Sequence, residues 1–594
     1  MTALRPAPGE VRVPRTRPAG GPGRPDAAPL KRRRTTSRAA AGRRASFALA
    51  AAVPLAFLGL FFLWPVVAML VRGLTDATGA LDLAGVADVL AKPRTWRVVT
   101  TTVVQALAGT AVAVVLGVPG AYVLYRRRFP GRTLVRGLVT VPFVLPSVVV
   151  GVAFRALLGP GGPLGSLGLD GTLTAIVCAL VFFNYSVVVR TVGGFWSRLD
   201  PRAEEAARAL GASPARVLRT VTLPALVPAV ASAAALVFLF CTTAFGVVMV
   251  LGSREHATIE TEIYTRTTQL LDLRTAAVLS VLQMLVVAAS LLVSARARAA
   301  RERALPLHAE PRGERPLTWR SRTDALAAAV TGVVVVGLLA WPMATLVARS
   351  FRTHDGTWTL DAYRRLADAG PGTGLSVTVW QATLTSLTTA AVAATLAVVV
   401  GGLVSFVVSR RPRSRTGRRS LAVLDAVVML PLGVSAVIVG FGLLITMTRP
   451  VLGVDLRTTG WLLPIAQALV AVPVVVRLLL PVLRAVDPRQ HEAAATLGAP
   501  PGRVVRTVDL PLVARPLGLA VGFAFAASLG EFGATSFLAR PDAPTLPVVI
   551  VRLLGRPGTD NLSTAMAAAT VLAVVTASVM LLAERMRGDT AGEL

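Results

Sequence analysis

Apolar residues fill long blocks of this chain, and polar residues gather in the short stretches between them. Blocks of about 20 residues match a hydrocarbon core roughly 30 Å thick when wound as helices. Inside lipid the backbone must satisfy its own hydrogen bonds, which excludes open strands, and short alternating segments of the kind a barrel needs are missing. The pattern predicts an all-α integral membrane protein with about twelve transmembrane helices. Six fall in the first half, at about 47–71, 97–124, 136–158, 173–193, 225–250 and 274–294. Six fall in the second, at about 325–348, 379–408, 421–446, 461–482, 513–538 and 563–583.

The polar connections assign a direction to these spans. Arginines crowd the stretch after span 2 (Arg126, Arg127, Arg128, Arg132, Arg136) and after span 8 (Arg410, Arg411, Arg413, Arg415, Arg418, Arg419). They also crowd the central connection and the end of the chain, at Arg585 and Arg587. The alternate loops mix signs, as in Arg254, Glu255, Glu260, Glu262, Arg266 and Asp272. Positive charge is retained on the cytoplasmic side, so both termini are expected there, in the cell membrane. The domain plan is a disordered basic cytoplasmic tail (1–45), a first transmembrane domain (46–294), a cytoplasmic linker (295–324), a second transmembrane domain (325–583) and a short cytoplasmic tail (584–594).

Composition adds little beyond that plan. A formal charge of +31 in a soluble protein would suggest nucleic acid. Here the arginines flank spans, where membrane topology and anionic lipid account for them, so no nucleic-acid partner is expected. Cys178 and Cys241 lie inside apolar blocks, and the 4 histidines are scattered. No HExxH, CxxC or Gly-x-x-x-x-Gly-Lys-Ser/Thr string occurs. The residues therefore offer no catalytic or metal-ligating set and no nucleotide loop.

One long string occurs twice. DPRAEEAARALGASPARVLRTVTLP runs from Asp200 to Pro224, and DPRQHEAAATLGAPPGRVVRTVDLP from Asp487 to Pro511, at a constant offset of 287 residues. The chain is a tandem duplication whose halves enter the membrane in the same direction. Echoes agree: Trp64-Pro65 with Trp341-Pro342, Arg190 with Arg477, and Phe245-Gly246 with Phe532-Gly533. Each copy predicts a short helix capped by Asp200 or Asp487, ended by a left-handed glycine, Gly211 or Gly498. A second short helix then starts at a proline and stops before Leu-Pro, where the next span begins.

Both copies carry E-A-A-x3-G-x9-[IV]-x-L-P: Glu205, Ala206, Ala207, Gly211, Val221, Leu223, Pro224, then Glu492, Ala493, Ala494, Gly498, Val508, Leu510, Pro511. This resembles the cytoplasmic loop signature of type I ABC importer permeases, and the resemblance covers nearly all the chain beyond the tail. It implies that each loop docks on one of two separate ABC ATPase subunits. These hydrolyse ATP with Mg, while an extracytoplasmic solute-binding protein delivers the cargo. The chain itself then performs no chemistry and binds no cofactor. Phe182-Phe183-Asn184, ATIETEIY (257–264), SLGEFGA (528–534) and Thr545-Leu546-Pro547 resemble thiamine-type permeases, which implies thiamine or its phosphates as cargo. A ferric-iron permease is the runner-up, and a secondary transporter of six-plus-six topology the more distant alternative.

Ionisable and polar groups within spans are the candidates for the translocation pathway. Glu531, expected late in span 11, offers a carboxylate to a cation, against the plainer role of a helix-end acid. Phe532, Gly533, Phe245 and Gly246 hold equivalent places in the two halves and are expected near the axis relating them, with close helix packing as the competing role. Asn184 and Tyr185 face either a cavity or a neighbouring helix.

Overall fold

Prolines and buried side-chain amides divide the apolar blocks differently from hydropathy alone. The computed structural model describes residues 49–585, apart from 77, 304–313, 354, 371–374, 410–418, 420, 422–423, 426, 432–433 and 451–452. The basic tail, Arg587, part of the linker and most of the arginine cluster after span 8 lie outside the described residues. Ten described helices are long and apolar enough to cross a membrane, among them Pro93–Arg126, Leu173–Trp196, Val379–Ser409 and Thr559–Arg585. The expected third span is not one rod. Pro142 and Pro146 lack a backbone N–H and disfavour helix in the residue before them, so the chain breaks into Arg132–Thr140, a tight turn Val141–Phe143, and Ser147–Leu158. The ninth span lies partly outside the described residues, and its second part is the helix Ala436–Thr446.

Spans 5 and 11 are also shorter than expected. The helix from Pro214 ends at Thr242 rather than near 250, and the helix from Gly502 ends at Leu529 rather than near 538. Each break needs substitute partners for backbone groups the helix gives up. Gln105 Nε2 donates to Cys241 O at 3.2 Å and Gln283 Nε2 to Thr242 O at 2.9 Å. At the second break, Glu531 accepts from Ala534 N (2.8 Å) and Thr535 N (3.0 Å). Short helices resume beyond, at Gly246–Leu251 and Thr535–Leu538.

Four segments widen to i→i+5 hydrogen bonding: Gly59–Leu63, Leu218–Thr222, Val334–Ala340 and Val505–Asp509. Each is followed by one residue and then by Pro65, Pro224, Pro342 or Pro511. A proline ring clashes with the carbonyl one turn back and supplies no N–H, and one residue of slack in the turn relieves both problems. The N–H before each proline bonds five residues back, as Leu223 does to Leu218 and Leu510 to Val505. This corrects the expected stop at Leu-Pro. The second short helix of each repeated string continues into the following span.

Chain direction alternates so that both repeated strings fall at one end of the bundle. The Pro93–Arg126 helix ends there, where Arg126 meets Glu204, and Leu173–Trp196 runs into the first string. Arg127–Arg128 pairs in parallel with Arg315–Pro316 at the same end, after the helix Leu273–Arg303 has returned. The opposite end carries ion pairs of mixed sign: Arg94–Glu262 at 2.7 Å, Arg266–Glu262 at 2.9 Å and Arg274–Asp82 at 2.6 Å. Burial alone would raise the Glu262 carboxyl, but Arg94 and Arg266 outweigh it and hold it below its usual range.

The two halves exchange their first helices. Leu58, Phe62 and Val66 of Leu49–Leu74 are buried in a cluster otherwise built from second-half residues such as Val404, Val439 and Leu469. Gly442 permits that approach, since a Cβ there would meet Pro65 at 3.1 Å. In return, Val334, Leu339 and Leu346 of Arg322–Ser350 enter the cluster containing Val148, Phe154 and Tyr185. Arg349 Nη1 donates to Ala156 O at 2.7 Å.

Candidate functional site: paired docking loops and an aromatic closure

Each repeated string forms a helix, a left-handed glycine and a second helix at the bundle's end. Asp200 Oδ1 accepts from Arg202 N at 3.0 Å, and Asp487 Oδ1 from Arg489 N at 2.9 Å, which caps Arg202–Ala209 and Pro488–Thr496. Gly211 and Gly498 have φ of +83° and +75°, as the turn requires. Before them, Leu210 and Leu497 are 89% and 87% exposed. A leucine so exposed gains little from folding within this chain, and it recurs at the same point of both copies. Glu205, Ala206, Glu492 and Ala493 are exposed beside them, while Ala207 and Ala494 are half-buried. Leu223, Pro224, Leu510 and Pro511 form the exposed exit into the following helices.

The loops are held to the bundle by different chemistry at the same two offsets. In the first, Thr222 donates to Glu204 Oε1 at 3.0 Å, and Glu204 Oε2 also meets Arg126 at 3.1 Å and Arg208 at 3.4 Å. In the second, His491 takes the place of Glu204 and Asp509 that of Thr222, with Nε2 and Oδ1 at 2.8 Å. The linker is strapped beside the first loop. Glu314 pairs with Arg132 at 2.7 Å and Arg128 at 2.8 Å, and Asp324 with Arg127 at 2.9 Å. The hydrogen bond from Arg132, reinforced by Arg128, pulls the Glu314 carboxyl down to about 2. Arg315 reaches Glu205 at 3.7 Å, a half-exposed pair of little energetic weight.

At the breaks of spans 5 and 11, Phe245 and Phe532 stack with ring centroids 5.2 Å apart and planes at 17°. These residues are equivalent by the 287-residue offset. Two equivalent groups in contact lie on the axis that relates them, so the pair closes the pseudo-two-fold axis. Both rings are buried, and Tyr264 packs on Phe245 at 5.6 Å and on Phe537 at 5.4 Å. Gly246 and Gly533 let the starts of the two shorter helices come close. A Cβ on Gly246 would collide with Ser147 Oγ, and one on Gly533 would meet Ala436 Cβ at 2.9 Å.

Glu531 therefore stands in the helix break beside the aromatic pair, not within a span. It is 7% exposed and accepts from Thr535 Oγ1 at 2.5 Å as well as from two backbone N–H groups. Asn184 and Tyr185 lie in helix contacts of the first half. Asn184 Nδ2 donates to Leu180 O at 2.8 Å and approaches Cys241 Sγ at 3.5 Å, and Tyr185 packs over Gly120. Sequence reasoning missed Glu260. It sits in Ile259–Thr268, a non-spanning helix, with Oε2 accepting from Ser435 Oγ at 2.6 Å and Oε1 from Gln283 Nε2 at 2.9 Å. Hydropathy gave no sign of it, because ATIETEIY reads as a polar loop.

The family model described as "binding-protein-dependent transport system inner membrane component" matches twice, over residues 109–303 and 401–587. The thiamine transport system permease protein ThiP of Brucella abortus (strain 2308) is 28% identical over 561 residues, covering 91% of this chain and 97% of that protein. ThiP of Escherichia coli (strain K12) is 28% identical over 474 residues, covering 77% and 84%. The sulfate transport system permease protein CysT of Salmonella typhimurium (strain LT2) is 32% identical over 209 residues, covering 34% of this chain and 74% of that one. A crystal structure of a bacterial ABC transporter that imports alginate matches 43% of this chain with a TM-score of 0.37 and 17% identity. With the signature loop and the family model each present twice in one polypeptide, the chain belongs to the inner-membrane permease components of binding-protein-dependent ABC importers.

Proposed function

We propose that this chain forms, alone, the complete translocation path of an importer for thiamine or its phosphates. Two ATPase subunits dock on the paired loops at the cytoplasmic face, and a solute-binding protein delivers cargo at the opposite face. The observation that carries this reading is the pair of exposed Leu-Gly turns at one end of the bundle, related by the same offset as the aromatic closure on the axis. A two-fold motor needs two equivalent handles, and rotation of the handles separates whatever meets on the axis. The arginines at the loop end orient that end towards the cytoplasm. Thiamine is favoured because relatives named for its transport align along nearly their whole length.

The test is copurification of the complex from its host, followed by cargo binding to the copurified binding protein. Thiamine or its phosphates are expected to bind in preference to Fe(III), and to drive uptake into vesicles that depends on ATP. Tight Fe(III) binding with no response to thiamine would overturn the cargo and leave the importer. Uptake driven by a proton gradient, with no ATPase bound, would overturn the importer.

A further inference from the structure

A groove opens on the apolar flank of the bundle, where the first half meets the exchanged helix Arg322–Ser350. It encloses about 440 Å³, with Leu116 of Pro93–Arg126 on one wall and Ala329, Val330, Val333 and Gly337 on the other. The same two helices are pinned together nearer the loop end. There Tyr122 Oη donates to Asp324 Oδ1 at 2.7 Å, and Arg127 pairs with the same oxygen at 2.9 Å. Leu116 and Val330 each lie six residues further in from that contact, about 9 Å along the two helices. No side chain fills the space at Gly337, since a Cβ added there has no atom within 4 Å.

Helix geometry joins this groove to a cationic end. Arg322, Leu326, Ala329 and Val333 recur at spacings of four, three and four residues, so they share one helix face. Leu326 and Val333 are exposed on it. The groove starts at Ala329, about 10 Å below Arg322, and reaches Gly337 about 12 Å further on. That span matches one leaflet of a hydrocarbon core, about 15 Å deep. Arg320 and Arg322 are exposed at the top, and among the described residues neither meets a carboxylate. The acids near them are already taken, Asp324 by Arg127 and Glu314 by Arg128 and Arg132. Trp319 is exposed beside them, a ring suited to head-group level. Uncompensated positive charge therefore stands over an apolar slot. The charge calls for an anion at the interface and the slot for hydrocarbon, and an anionic phospholipid holds both in that order.

We infer that this groove is a binding site for one anionic phospholipid, with an acyl chain along Ala329, Val333 and Gly337 and the phosphate at Arg320 and Arg322. The chain replaces the contacts that Gly337 and Ala329 leave unmade, because their side chains are too small to reach the opposite wall. It fills the seam between the first half and the first helix of the second half, below the Tyr122–Asp324 contact that closes the seam at the loop end. The site does not depend on which cargo the importer carries.

The experiment titrates the full chain, purified in mild detergent, with dioleoylphosphatidylglycerol or dioleoylphosphatidylcholine and counts bound lipid by native mass spectrometry. The wild type is expected to hold one phosphatidylglycerol about tenfold or more tightly than phosphatidylcholine, since each basic residue at a membrane surface is worth about fivefold. Arg320→Gln together with Arg322→Gln is expected to remove that preference. Both arginines are exposed, so this pair reads the head-group contact without altering the packing. Ala329→Leu together with Gly337→Leu fills the slot, and is expected to weaken retention of both lipids about tenfold. Equal affinity of the wild type for the two lipids would overturn the site. So would a preference that survives in the glutamine pair, or undiminished retention in the leucine pair. A dimer of the chain that the leucine pair dissociates would give the groove to a second copy and overturn it as well.

Discussion

At the scale of single residues, the repeated loops separate what folding needs from what the proposed docking needs. Leu210 and Leu497 bury almost nothing in this chain, so Leu→Ala at either should change its own stability by less than about 0.5 kcal/mol. A leucine seated in a partner's groove is worth about 1–3 kcal/mol. The expected result is normal insertion with about tenfold or greater weakening of ATPase association, read by titrating purified ATPase onto the vesicle-bound permease. Unchanged association in the double variant would remove these leucines from the docking surface. The adjacent glycines fail differently. Space is free around Gly211 and Gly498, since no atom lies within 4 Å of an added Cβ, so the cost of Gly→Val is the backbone itself. A β-branched residue in the left-handed region costs about 1–2 kcal/mol, enough to re-aim the loop. Transport should fall while the protein still inserts, and uptake at the wild-type level in both valine variants would remove the coupling role.

At the scale of elements, local chemistry was legible in the sequence and tertiary chemistry was not. Asp200, Gly211 and their copies act within a few residues of themselves, so cap and turn could be read directly. Hydropathy averages over about 20 residues, and therefore ran straight through the breaks at Pro146, Thr243 and Gly530. What makes the breaks at Thr243 and Gly530 tolerable is amide and carboxylate support from distant Gln105 and Gln283 and from Glu531. The exchange of Glu204–Thr222 for His491–Asp509 is similar: along the strings these are two unrelated differences, and in space they are the two ends of one contact. The linker strap carries a prediction at this scale. Because Arg132 and Arg128 hold the Glu314 carboxyl near 2 instead of its ordinary 4.5, its stabilisation is fully present above about pH 4.5. It is lost as pH falls towards 2, where the folded form also takes a proton. Glu314→Gln should lower the melting temperature of the detergent-solubilised chain at pH 7, and the gap to wild type should close between pH 4.5 and 2. A gap that does not vary over that window would remove Glu314 from the strap's energetics.

For the whole molecule, the duplication suggests two bundles side by side, but the packing binds them into one body. Leu58, Phe62 and Val66 lie in a core cluster otherwise built of buried second-half side chains, and Val334, Leu339 and Leu346 share a cluster with first-half residues such as Val148, Phe154 and Tyr185. Lipid tails are as apolar as these residues, so the exchange is held by close packing, such as Gly442 against Pro65, and not by removal from water. No offset or hydropathy plot contains that information, because it depends on which helix faces which. The exchange can be tested by cutting the chain within 304–313, between the helix Leu273–Arg303 and the strand Arg315–Pro316. Co-expressed fragments should copurify as a stable pair, each being degraded when made alone, because each lacks the helix that covers its surface. Deleting 1–74 from the first fragment should then reduce recovery of the second, whose Val439 and Leu469 cluster loses its cover. If the second fragment resists protease equally with and without that helix, the halves are separate bundles and the exchange does not hold them together.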